Sequence, residues 1–181
     1  RGGFGFIEVK SLLPYLESYG ISHLYLSPVF TARKGSSHGY DVIRPDQIDP
    51  ALGGLSGFEE MAIAAKAAGI GIILDIVPNH MAFDLENPWL CDVLRYGGGS
   101  EFAAHFDYDT DRPLCLPFLD MPLTDFVAMH KPEVLIDQEG TVLAIGHLRL
   151  PLAANTEIKG PLDIRSFNSL HDRPFLRLIY W

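Results

Sequence analysis

The sequence predicts an α/β fold, a partial (β/α)8 TIM barrel carrying an inserted α+β lobe, on three observations. A helix, a glycine and a short apolar strand occur twice in the same order, with the helix-ending Gly20 and Gly69 set 49 positions apart. That alternation belongs to parallel strands joined by helical crossovers. Neither strand runs into the Gly-rich phosphate turn of a nucleotide-binding doubly wound sheet, since Ser27-Pro28-Val29 follows the first and Pro78-Asn79-His80 the second. Polar residues gather just beyond both strands, where barrel enzymes build their sites.

Phe6, Val9, Leu13 and Leu16 share one helical face, and Gly20 suits the left-handed position that ends a helix. Pro14 removes a backbone bond at a cost of about 3 kcal/mol, so the helix either kinks there or has an irregular first half. Residues 21–26 read as a buried strand ended by Ser27-Pro28. Ser56 and Glu59 form an S-x-x-E capping box for a second helix along Phe58, Met61, Ala65 and Ala68, and residues 70–77 form the second strand. Asn87-Pro88 opens a third helix with Trp89, Leu90, Val93 and Leu94 on its apolar side, stopped at Gly97. Ser100 caps a short helix reaching Phe106, residues 113–124 read as irregular chain, residues 134–136 and 141–145 flank a hairpin turn, and 147–150 adds a strand. Residues 1–81 are thus assigned to the barrel and 82–181 to the inserted lobe.

With 181 residues, 48% hydrophobic and 20% charged, the composition is that of a globular domain or part of one. The 14 basic against 23 acidic side chains give a net charge of −9, which argues against a nucleic-acid partner, because such affinity comes from Lys and Arg displacing counterions. Cys91 and Cys115 form no CxxC pair and fit free thiols in a reducing compartment. No apolar stretch approaches the about 18 residues of a membrane span, and no basic region precedes an apolar core at the N-terminus. A cytoplasmic protein with no membrane partner is the expectation. The opening on Arg1 and the apolar close from Leu176 to Trp181 predict a piece of a longer polypeptide, since natural ends are usually polar.

Two clusters carry chemistry. In Asp75-Ile76-Val77-Pro78-Asn79-His80 a strand delivers a carboxylate, an amide and an imidazole, and alternation sets Asp75, Val77 and Asn79 on one face. A carboxylate entering an apolar strand needs a partner, here an Arg, a His or loop backbone. In Ser36-Ser37-His38-Gly39-Tyr40-Asp41-Val42, Tyr40 offers an aromatic face with a polar tip, the kind of group that grips the apolar face of a sugar ring.

These residues, with Ile48-Asp49-Pro50 and Leu52-Gly53 between them, resemble the α-amylase superfamily of glycoside hydrolases and transglycosidases, and the finer features resemble its trehalose-forming branch. The resemblance implies a (β/α)8 barrel with the lobe inserted after the third barrel strand. It implies intramolecular transfer that converts the reducing-end α-1,4 linkage of a maltooligosaccharide into an α,α-1,1 linkage. Tyr40 is then expected to stack on the sugar in the −1 subsite, His80 to bond that sugar's hydroxymethyl group, Asp75 to order the strand end and a neighbouring Arg, His38 and Asp41 to line the same mouth, and Asn79 to join them in binding substrate. The nucleophile Asp and acid Glu have no counterpart after residue 81 and are expected beyond residue 181, so no catalytic residue is assigned here. Some amylases bind calcium through the position of Asn79, but a hard cation wants six to eight oxygens and no carboxylate cluster accompanies it, so neither metal nor cofactor is expected. Arg44 stands where relatives usually have Asp, which either alters the pocket rim or is a surface change compensated by Asp46. Two other readings compete: a hydrolytic or disproportionating relative, and a non-catalytic carbohydrate-binding piece.

Overall fold

The computed structural model describes residues 2–107, 114–138, 140–153, 156–171 and 176–180. The chain forms two compact units, residues 1–87 and 88–181. No helix among the described residues is long and apolar enough to cross a membrane.

In the first unit, helix α1 (Phe6–Ser18) runs through Pro14 as one element. Its first turn is secured by the Gly5 amide, which donates to the Glu8 carboxylate at 2.7 Å, a negative charge placed where the helix dipole favours it. At its end Gly20, with φ of 74°, lets two amides turn back onto the last carbonyls: Gly20 N–H to Glu17 at 2.9 Å and Ile21 N–H to Leu16 at 3.2 Å. Helix α2 (Gly54–Ala67) ends the same way, with Gly69 N–H to Lys66 at 3.1 Å and Ile70 N–H to Ala65 at 2.9 Å. This six-to-one and five-to-two pattern satisfies orphan carbonyls and aims the chain into the next strand.

Those strands are β1 (His23–Leu26) and β4 (Gly71–Leu74), paired in parallel from His23 opposite Gly71 to Leu26 opposite Leu74. Leu24, Leu26 and Ile72 face the helices and close a core on Phe6, Leu13, Met61 and Ala65. Alternation turns Tyr25 and Ile73 the other way, and both are exposed. The His23 ring lies over Gly71, where any Cβ would meet it at 2.5 Å.

Three expectations for this unit change. The chain read as loop between the strands contains an antiparallel hairpin, β2 (Phe30–Ala32) with β3 (Val42–Ile48), because the nine residues between Ala32 and Val42 close through Arg33 and Asp41. Ser56 does not cap α2: the helix begins two residues earlier, behind a 3-10 turn at Pro50–Leu52 that Asp49 caps through the Ala51 amide at 2.9 Å, with Gly53 at φ of 114° joining the two segments. The second strand stops at Leu74 rather than reaching residue 77.

In the second unit, α3 (Pro88–Tyr96) forms as its sequence predicts. Ser100 accepts the Phe102 amide at 3.0 Å ahead of a single 3-10 turn, Ala103–His105. Residues 114–130, part of which reads as irregular, form β5 (Leu114–Leu119) and α4 (Leu123–His130). Pro117 is tolerated in β5 because both strands of a two-stranded sheet are edges. The expected hairpin is present as β6 (Glu133–Asp137) and β7 (Gly140–Ile145), with Asp137 opposite Gly140. Strand β8 (Leu148–Pro151) extends it, and β9 (Gly160–Pro161) lies on the far edge. Helix α5 (Ile164–His171) and β10 (Leu176–Tyr180), paired in parallel with β5, follow without a sequence signal that we read. Cys91 is free, and the expectation for Cys115 falls outside the described side chains.

Gly5 sits where a Cβ would lie 2.6 Å from the Leu52 carbonyl oxygen, a backbone atom that cannot swing aside. Gly5→Ala is expected to destabilise the chain by about 1–3 kcal/mol through overpacking. A lower urea midpoint at unchanged slope checks it.

Candidate sugar-binding site

The site assembles at the C-terminal ends of β1 and β4. Past Leu74 the ladder makes one more bond, Asp75 N–H to the Leu26 carbonyl at 3.0 Å, so Asp75 keeps the register of the strand. Alternation then sets its side chain on the face of Tyr25 and Ile73. From the loop between β2 and β3, Tyr40 donates its hydroxyl to the Asp75 carboxylate at 2.7 Å.

That loop is tied internally. Asp41 accepts the Arg33 guanidinium at 2.8 Å and the Ser36 hydroxyl, while the Ser36 oxygen accepts the Gly39 amide at 3.0 Å. The His38 ring accepts the Tyr40 amide at 3.1 Å and stacks on the Tyr40 ring, with centroids 5.7 Å apart and planes 21° from parallel. Partial burial pushes the Asp41 carboxyl upward, but the bonds from Ser36, its own backbone and Arg33, with the nearby His38, outweigh this and hold it below its usual 3.8. The Tyr40 phenol is raised above 10.0 by its hydrogen bond to Asp75 and by that carboxylate's charge, and Tyr25 is raised first by its own hydrogen bond with Asp75. A cavity of about 240 Å³ adjoins the cluster, lined by Tyr25 and His38 together with Phe6, Val29 and Leu52.

The structure therefore brings together Tyr40, His38 and Asp75, with Asp41 as the hub of the loop behind them. Asn79 and His80 lie exposed at the following turn and bond to each other, His80 Nδ1 to Asn79 Oδ1 at 3.2 Å. The face-sharing expected of Asp75, Val77 and Asn79 lapses, because the strand has ended. Asp75 was expected to take an Arg, a His or backbone, and among the described residues its side chain accepts the Tyr40 hydroxyl instead. Sequence reading missed Tyr25, although its place between Leu24 and Leu26 already turned it away from the core. Arg44 makes a two-pronged pair with Asp46, at 2.9 Å through both Nε and a terminal nitrogen, so the compensated surface change is the reading the contacts support. Among the described residues no group of three or more His, Cys, Asp or Glu is placed to hold a metal ion.

An aromatic face with a polar tip, a stacked imidazole and a carboxylate already engaged by donors make a surface that grips rather than attacks. The catalytic-domain model of the α-amylase family matches residues 5–112, and the chain belongs to that family. Its fold is accordingly of the α-amylase type. Among individual proteins, it is 38% identical over 185 aligned positions to a putative maltooligosyl trehalose synthase of Mycobacterium tuberculosis, covering 99% of this chain and 22% of that protein. A solved maltooligosyl trehalose synthase matches with a TM-score of 0.82 at 37% identity, over 98% of this chain and 24% of that one. The synthase from Arthrobacter ramosus matches with 0.75 at 36% identity, over 98% and 22%. The chain thus spans about a fifth to a quarter of the length of these relatives.

Two titrations follow from the electrostatics. Asp75→Asn is expected to bring the phenol midpoints of Tyr25 and Tyr40 down toward 10.0, read by NMR of tyrosine labelled at Cζ. Because the folded Asp41 value lies below 3.8, its contribution to loop order is present above that pH and lost as pH falls through the folded value. The amide shifts of Gly39 and Tyr40 are expected to follow that midpoint, and Arg33→Ala to move it upward.

Proposed function

We propose that this chain is the N-terminal part of a trehalose-forming transglucosylase of the maltooligosyl trehalose synthase type, an isomerase acting on maltooligosaccharides. The observation that carries the reading is the match to these synthases along nearly the whole chain at 36–38% identity. In this reading residues 1–81 supply early strands of a (β/α)8 barrel, and residues 82–181 form the lobe inserted after the third. Tyr40 stacks on the apolar face of the sugar in the −1 subsite, with His38 behind it, and His80 bonds that sugar's hydroxymethyl group. Asn79 holds His80, Asp75 anchors Tyr40, and Asp41 keeps the loop in shape.

The chemistry is a double displacement. A carboxylate nucleophile and a carboxylic acid about 5 to 5.5 Å apart cleave the α-1,4 bond, and the freed sugar turns so that its anomeric hydroxyl attacks to give the α,α-1,1 product. Both carboxylates come from outside this chain. Water must be kept from the intermediate, since its attack gives hydrolysis in place of transfer.

The chain by itself is expected to show no turnover of maltopentaose over hours, followed as loss of reducing ends. Conversion by the pure chain would contradict the assignment and direct attention to Asp107, Asp109, Asp120 and Asp125. In a full-length protein carrying this chain, Tyr40→Ala is expected to lower kcat/KM by roughly tenfold to a hundredfold, from loss of apolar contact and of ring orientation. Arg44→Ala is expected to cost less, since Arg44 is occupied with Asp46. A Tyr40→Ala enzyme of unchanged efficiency would mean that the sugar lies elsewhere.

A further inference from the structure

Tyr40 comes from a loop, and a loop side chain is only as well placed as the group it docks on. That group is the Asp75 carboxylate, 2.7 Å from the Tyr40 hydroxyl. Asp75 follows the last residue of the strand with its amide still bonded to Leu26, and a carboxylate with one donor can still rotate about its terminal torsion, which is broad. A second donor arriving from another direction removes that freedom.

Tyr25 is placed to be that donor. Register puts it opposite Ile73, which makes Asp75 its diagonal neighbour on the same face, a separation that aromatic side chains bridge. Its hydrogen bond with Asp75 is the first cause of its raised phenol value. Packing does not explain a tyrosine at this point: Leu24 and Leu26 on either side pack against the core, whereas Tyr25 is 68% exposed. It instead lines the cavity together with His38, the residue stacked on Tyr40.

We infer that Tyr25 is a positioning residue for Tyr40: it holds the Asp75 carboxylate from the strand side and thereby fixes the acceptor on which the Tyr40 hydroxyl docks and the plane in which the Tyr40 ring is presented. The strand supplies rigidity and the loop supplies the contact surface, with the carboxylate as the joint between them. The consequence for sugar handling rests on the proposed function, but the test does not.

The test uses the chain with tyrosine labelled at Cζ, comparing the natural sequence with Tyr25→Phe, which keeps the ring and deletes the donor. In the natural chain both phenols lie above their ordinary value, and the charge of Tyr25 is among the causes at Tyr40. In Tyr25→Phe, Tyr40 is expected to titrate in one step at lower pH, because repulsion from a neighbouring phenolate contributes to its raised value. Its ring is also expected to flip severalfold faster at neutral pH, read from the line shapes of its ring carbons. Tyr15→Phe, which alters a tyrosine whose ring contact is with Tyr19, is expected to leave Tyr40 unchanged. A Tyr40 titration and flip rate identical in the natural chain and Tyr25→Phe would overturn the assignment. Neither readout involves sugar, so a failure to bind maltopentaose would count against the proposed function and leave this result standing.

Discussion

A four-residue parallel ladder between His23–Leu26 and Gly71–Leu74, extended by the Asp75 amide on the Leu26 carbonyl, is the constraint on which the site depends. It forces alternate side chains to opposite faces. Leu24, Leu26 and Ile72 go down onto α1 and α2, where burial of apolar surface holds the layers together. Tyr25, Ile73 and Asp75 go to the other face. A slip of one residue in this register would bury a carboxylate and expose the leucines, an exchange that the hydrophobic effect and the cost of an unpaired buried charge both oppose. The core therefore sets the face of the ladder from which Asp75 projects.

The loop answers to that anchor. Arg33 and Ser36 converge on Asp41 and the Gly39 amide donates to Ser36, so Tyr40 leaves a turn whose shape is held independently of any ligand. Its hydroxyl then reaches the carboxylate that the ladder has positioned. In the proposed reading, a platform ordered before the sugar arrives spares the entropy of ordering it on binding, which otherwise subtracts from affinity. The charge balance points the same way: Asp41 meets a cation and a hydroxyl, and Asp75 accepts the Tyr40 phenol.

The parts of the fold legible in the sequence are those fixed by local rules. Gly20 and Gly69 announced their helix ends, because a left-handed residue is needed there and glycine supplies it. Asn87-Pro88 announced α3, and the turn after Asp137 announced the β6–β7 hairpin. The errors lie where tertiary contacts outrank local ones. Ser56 and Glu59 satisfy a capping pattern, yet Asp49 and Gly53 start the helix earlier. Three prolines from residue 113 to 124 suggested irregular chain, but Pro117 sits in a strand that is an edge of its two-stranded sheet. In the site, Tyr40, His38 and Asp75 could be picked out by residue type and position after strands, whereas Tyr25 required knowing that Leu26 and Asp75 are bonded across the ladder.

The central claim is that the Tyr40 ring, stacked with His38 and docked on Asp75, is the surface on which a glucan rests. Mapping the chemical-shift changes that maltopentaose causes in the labelled chain tests it most directly. The account predicts saturable shifts in the ring signals of Tyr40 and His38, with Arg44 and Glu8 unmoved, and their disappearance in Tyr40→Ala. Saturable binding that leaves the Tyr40 and His38 rings untouched would contradict it.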